Sequence, residues 1–362
     1  MRKLAQLVGL VTVAVIAFEL TIRIEDLVRF GMPLWTPVRG PADLMVHDET
    51  GVHGRPNVQW RKWRMNNVGT RGPDVRVDPP PGVTRIAIVG ASETFGLYES
   101  PGLEYPRQLE DSLRATASCA RGAGLEVINA AIPGMSLPTY TQDLSLRLST
   151  LSPDIVVVYP SPVQYLDIGV PRAPRPDSTR SDRLLPSWAG HPRSLEQARD
   201  GLKSMLPEPV ATWLRARDIA LARRRLKIEP LDVIPPPRLA AFERDLRQLV
   251  GAIRAIGAVP VLVTHANRFT PNTGPDERLL TMWGRFYPLS SGEMLPAFDS
   301  AGAVAIATVA RDSATVFLDF AGSLPAERSH LFADYVHFTN EGAGRFAGQL
   351  AATIRPILGC LR

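Results

Sequence analysis

Five short apolar runs constrain this chain more than any other feature: Arg85–Val89 (RIAIV), Leu125–Asn129 (LEVIN), Asp154–Tyr159 (DIVVVY), Val259–Thr264 (VPVLVT) and Thr315–Asp319 (TVFLD). Runs this short, rich in Val and Ile and lacking a polar face, read as buried strands. Helical patterns lie between them: Tyr105, Leu109 and Leu113 at fourfold spacing, RLAAFERDLRQLVGAIRAIG before the fourth run, and Phe346, Leu350 and Ile354 after the fifth. Alternation of such strands with helices predicts an α/β chain with a five-stranded parallel sheet covered on both faces. The 362 residues, 45% of them apolar, suffice for one large domain with appendages.

The N-terminus sets the compartment. Arg2 and Lys3 precede an apolar stretch from Leu4 to Ile22, in which only Gln6 and Glu19 are strongly polar. That is close to the roughly 20 residues a helix needs to cross a bilayer. Residues 1–22 are therefore expected to be a transmembrane anchor, with the basic end in the cytoplasm and the rest in the periplasm or on the cell surface. The alternative is a signal peptide cleaved after Val15-Ile16-Ala17, which would secrete the domain. Residues 23–82 are turn-rich and end in NNVGTRGPDVRVDPPPG, a preamble rather than a domain, and 83–362 form the main domain.

Within that domain, residues 165–237 break the rhythm with scattered prolines and arginine-rich helices, so they read as a helical insertion. Their basic excess would suit anionic lipid or polysaccharide, or simply a solvated helical face. The formal charge is only +5, and no basic stripe is interleaved with aromatics. Nucleic acid is not an expected partner. No zinc-type Cys/His spacing is present, and no metal or cofactor is expected.

In doubly wound sheets ligands lie beyond the carboxyl ends of the strands. The first strand runs into GASETFG, which puts Ser92 on a glycine-flanked turn opening a helix, where N–H groups point outward. That serine is a nucleophile and oxyanion donor, a helix cap, or part of a phosphate cradle. The second strand is followed by NAAIPGMS, in which Gly134 brings a bare backbone N–H toward a ligand or merely makes a turn. Past the fifth strand, DYVHFTNEGAGRF holds Asp334 and His337 three residues apart on a loop. A serine needs a base, and an imidazole needs a carboxylate to fix its tautomer, so Ser92, His337 and Asp334 supply the parts of a catalytic triad. A metal set of His330, Asp334 and His337 is the rival reading of that loop.

A serine block after the first strand, a glycine block after the second and an Asp-x-x-His block before the last helix resemble the SGNH, or GDSL-type, hydrolase superfamily. The resemblance runs from about Arg85 to the C-terminus apart from the insertion, and NNVGTRG is similar to the preamble of exported, membrane-anchored members. It implies a flavodoxin-like three-layer α/β/α sandwich (the SGNH hydrolase fold). It also implies Ser92 as nucleophile, His337 as base, Asp334 as its partner, and the N–H groups of Ser92 and Gly134 as oxyanion donors. Gly90-Ala91-Ser92 replaces the family's Gly-Asp-Ser, leaving nucleophile and turn glycine in place. The third block departs further, because YPSPVQYLD (Tyr159–Asp167) has no asparagine to serve as oxyanion donor. Gln164 and Ser161 are the candidates to replace it. His265 and Asp319, which follow strands, are candidate pocket residues. Cys119 and Cys360, near the ends of the first and last helices of such a sheet, would be placed to form a disulfide.

The expected activity is that of an esterase acting on O-acyl groups, such as those of a cell-envelope glycan, through an acyl-enzyme. An O-acyltransferase on envelope polysaccharide and a catalytically impaired domain that binds carbohydrate or a partner are the alternatives.

Overall fold

The structure, a computed structural model, describes residues 2–38, 40–115, 124–167, 193–227, 230–231, 233–269 and 276–358. Helix α1 (Arg2–Phe30) is followed by two small hairpins, β1 (Met45–Asp48) with β2 (Gly51–Gly54) and β3 (Gln59–Trp60) with β4 (Trp63–Arg64). Then come β5 (Val83–Gly90), α2 (Ser92–Phe95), α3 (Tyr105–Arg114), β6 (Gly124–Asn129), α4 (Leu137–Leu146) and β7 (Ile155–Tyr159). The second half holds α5 (Arg193–Ser204), α6 (Glu208–Leu226), α7 (Pro236–Ala255), β8 (Val259–Val263), α8 (Glu277–Gly284) and α9 (Met294–Asp312). It ends with β9 (Val316–Leu318), α10 (Phe320–Ser323) and α11 (Asn340–Ile354).

Strands β5 to β9 form one parallel sheet in the order β6-β5-β7-β8-β9. Counted from its first strand this is 2-1-3-4-5, the flavodoxin-like order. Side chains alternate between two cores. Ile86, Ile88, Val127, Val157 and Val261 bury one face against α3 and α11. Ala87, Val89, Val156, Val158 and Leu262 bury the other, in the core shared with α4, α7 and α9. Burial on both faces explains why the strands read as continuous apolar runs.

Helix α1 continues eight residues past the expected end at Ile22. Its extension is held by Glu-to-Arg pairs one turn apart, Glu19 with Arg23 (2.7 Å) and Glu25 with Arg29 (2.7 Å). The helix is long and apolar enough to cross a membrane, with a mean hydropathy of 2.1 over its best 18-residue window. Near its C-terminal end, buried Asp26 pairs with Arg193 and Arg61, and Glu19 accepts from the N–H groups of Arg193 and Ser194, so α5 of the insertion packs on α1.

The preamble is not a detached stem. Met32, Val38, Leu44, Val58, Trp60 and Met65 are buried in the main core, and the Arg71 N–H donates to the Asn129 carbonyl at the end of β6. Its apolar and aromatic side chains are covered by the sheet domain, which overrides the turn-rich composition. Cys119 and Cys360 lie outside the described residues.

Candidate active site

The strand order reverses direction between β5 and β7, and such a switch point is where open α/β sheets bind ligands. Ser92 leaves β5 there, with Gly134 in the loop after β6, and Ser161 and Gln164 in the turn after β7. Gly90 permits the sharp exit from β5, since a Cβ at that position would collide with the Thr94 side chain. Ser92 then opens a four-residue helical turn whose first N–H groups have no intrahelical acceptor. Gly134 has φ +79°, which favours glycine, and is exposed.

Three groups fix the turn that carries Ser92. The buried Arg71 guanidinium donates to the carbonyls of Phe95 and Gly96 and pairs with Glu104 (3.4 Å). The Asn129 amide donates to the Thr94 carbonyl (2.9 Å), and the Thr94 hydroxyl is bonded to the Tyr105 hydroxyl (2.8 Å). Arg71 belongs to the NNVGTRG segment, so the preamble braces the turn that carries Ser92. Replacing Arg71 by Met would leave two carbonyls and Glu104 without their cation, and is expected to cost about 3 kcal/mol. Urea unfolding measures this; a variant as stable as wild type would contradict it.

The Asp334–His337 loop is tied to the segment that follows Ser92. The Ser100 N–H donates to the Asn340 side chain (2.8 Å), whose amide donates to the Ser100 hydroxyl (3.0 Å). The Tyr98 ring lies 5.4 Å from the His337 ring. Asp334 receives the N–H groups of Val336 and His337 (both 3.0 Å) on Oδ1, and both its oxygens meet His337 Nδ1, at 2.9 and 2.8 Å. His337 Nε2 is buried with no hydrogen-bond partner. His330, the third member of the metal set, faces outward at 3.6 Å from Glu341.

Burial alone would lower the His337 pKa, but the bond to Asp334 and the charges of Asp334, Glu93 and Glu99 raise it. Burial opposes the charge of Asp334 too, and His337 with the two backbone donors outweighs it, holding the carboxyl below its usual range. Burial, reinforced by Asp334, pushes the Tyr98 phenol up to about 12, and burial carries the Glu99 carboxyl up to about 7.

The Ser92 hydroxyl donates to Glu93 Oε2 (3.3 Å) rather than to His337. Glu93 is 4% exposed, and its other oxygen meets His265 Nε2 (3.4 Å). His265 Nδ1 meets Asp299 Oδ1 (2.7 Å), and the Asn267 amide donates to Asp299 Oδ2 (2.7 Å). Burial disfavours charge on His265, but the Asp299 and Glu93 carboxylates overcome it and push the imidazole up to about 10. Sequence reasoning missed Glu93, Asp299 and Asn267.

The other candidates are placed as follows. Ser161 is buried and Gln164 half-buried, and the Gln164 N–H donates to the Ser161 carbonyl (3.3 Å); neither side chain is bonded to Ser92 or His337. Asp319 caps α10 through the Gly322 N–H (3.0 Å) and accepts from Thr264 (2.9 Å). His265 and Asp319 both line a pocket of about 330 Å³, together with Asn267, Asp299 and Arg328, but Ser92 and His337 do not line it.

No family model matches the sequence, and no curated protein matches it. Among solved structures, TesA is 16% identical, covering 76% of this chain and 99% of its own, with a TM-score of 0.42. The lipase/acylhydrolase of Enterococcus faecalis is 14% identical (76% and 96% covered, TM-score 0.44). Axe2, an acetylxylan esterase of Geobacillus stearothermophilus, is 13% identical (75% and 94% covered, TM-score 0.42). The chain is thus similar to named esterases and acylhydrolases.

Proposed function

We propose that this chain is a serine esterase of the SGNH type, with Ser92 as nucleophile, His337 as base and Asp334 as the carboxylate that orients it. The observation that carries the reading is His337. Its Nδ1 is clasped by both oxygens of Asp334, which fixes the tautomer, and its Nε2 is left buried and unpaired at the sheet end where Ser92 sits. A buried nitrogen without a partner is rare, and a catalytic role is one reason a fold keeps one. Accepting the serine proton is such a role.

In this mechanism the Ser92 hydroxyl turns from Glu93 to His337 Nε2 and gives up its proton as Oγ attacks the ester carbonyl. The oxyanion is met by the N–H groups of Ser92 and Gly134, with Ser161 or Gln164 supplying a third donor. Collapse restores the carbonyl and breaks the bond from the acyl carbon to the leaving alcohol oxygen, His337 protonates the departing alcohol, and an acyl-Ser92 remains. Water, deprotonated by His337, then releases the acid and restores Ser92. A sugar hydroxyl in place of that water would make a transferase, and an O-acylated envelope glycan is the substrate class that an exported domain would meet. Export follows if α1 spans the membrane with Arg2 and Lys3 inside.

The test is hydrolysis of p-nitrophenyl acetate by the full chain in detergent. His337 works only when neutral and its pKa is raised, so kcat/KM should fall as pH drops through a midpoint above 6.5. No hydrolysis by folded protein, or a rate flat from pH 5 to 8, would overturn the reading.

A further inference from the structure

We propose that Glu93 is a further part of this machinery. Its carboxylate holds the Ser92 hydroxyl at rest and supports the imidazolium formed at His337 during turnover, with the buried chain His265–Asp299–Asn267 fixing its position. The inference rests on Ser92 being the nucleophile and goes beyond the Ser92–His337–Asp334 set.

Three observations support it. First, Ser92 Oγ donates to Glu93 Oε2, so the hydroxyl faces Glu93 while His337 Nε2 stands unpaired. The nucleophile therefore has two acceptors, one holding it and one accepting its proton. The 3.3 Å separation is long for an O–H bond to a carboxylate, so rotation toward His337 sacrifices little. Second, a bare carboxylate at 4% exposure is not tolerated without a cation. Here His265 supplies it, itself anchored by Asp299, and Asp299 by Asn267. Both ring nitrogens of His265 are occupied by carboxylates, so this histidine is a fixed cation and not a proton acceptor. Third, Glu93 follows Ser92 directly on the braced α2 turn, and its charge acts on His337.

The charged and titratable groups around His337 are Asp334 and Tyr335 on its own loop, Tyr98 and Glu99 on the loop after α2, and Glu93 on α2. Glu93 and Glu99 both favour the imidazolium, so removing either charge lowers the His337 pKa. Only Glu93 also touches the nucleophile, which separates the two.

The test is the pH profile of kcat and kcat/KM for p-nitrophenyl acetate with the full chain, comparing wild type, Glu93→Gln, Glu93→Asp, Glu99→Gln and Ser92→Ala. Glu93→Gln should move the acid limb to lower pH and reduce plateau kcat about tenfold, because the Ser92 hydroxyl also loses the charged acceptor that positions it. Glu93→Asp keeps the charge and should keep the wild-type limb. Glu99→Gln should move the limb without the loss of kcat. A Glu93→Gln profile superimposable on wild type would overturn the inference, with Ser92→Ala inactivity leaving the esterase reading intact. Should Glu93→Gln fail to fold by circular dichroism, Glu93→Asp decides alone: a limb displaced from wild type overturns the inference. Activity retained in Ser92→Ala would overturn both.

Discussion

Ser92→Ala and His337→Ala are each expected to lower kcat for an ester substrate by at least about 10⁴-fold while leaving KM within a few-fold of wild type. Without Oγ no acyl-enzyme forms. Without His337 the serine hydroxyl stays protonated, and the departing alcohol has no proton donor. The two losses should not add, because they remove one unit: the double variant should be no slower than either single one. Steady-state kinetics with circular dichroism as the fold check reads this directly. The turn carrying Ser92 is held by Arg71 and Asn129, and its backbone does not depend on the serine hydroxyl, so both variants should fold.

The largest expected effect on stability lies at Asp299. Asp299→Asn removes the nearest carboxylate from an imidazolium buried on every side and leaves one acceptor oxygen where His265 and the Asn267 amide now have one each. Breaking a buried ion pair by removing one partner costs about 3–5 kcal/mol. The pH dependence has a definite sign. His265 is raised from 6.5 to about 10, so its contribution is fully present below pH 6.5 and fades as pH rises toward 10. The gap between wild type and Asp299→Asn should therefore be widest near pH 6 and narrow through alkaline pH. Denaturant titrations at pH 6 and pH 10 test this, and a gap that widens with pH would contradict it.

Much of the frame was legible because burial on both faces leaves a plain mark. All five apolar runs became strands within two residues at each end, as from Arg85–Val89 to Val83–Gly90 and from Asp154–Tyr159 to Ile155–Tyr159. Reading the residues after each strand put Ser92, Gly134, Asp334 and His337 at one sheet end. The strand order came from the resemblance, since apolar periodicity carries no information on which strands pair. Glu93 left no signal, because one acidic residue after a serine looks like an ordinary first-turn helix residue. Its partners are distant in the chain: His265 is 172 residues away, and Asp299 a further 34. A histidine directly after a buried strand was the available clue. The packing of the preamble against the sheet domain left little mark, because turn residues dominate it, while Trp60 and Met65, which bury it, are scattered. The docking of α5 on α1 depends on Arg193 meeting Asp26 across 167 residues, and no local pattern encodes that contact.

The central claim is that Ser92 is a nucleophile activated by His337. The most direct test treats the full chain with a fluorophosphonate probe and locates the adduct by peptide mass spectrometry. The account predicts one adduct on the peptide containing Ser92, absent from Ser92→Ala and formed far more slowly in His337→Ala. Folded wild type that stays unmodified, or an adduct on another residue, would contradict it.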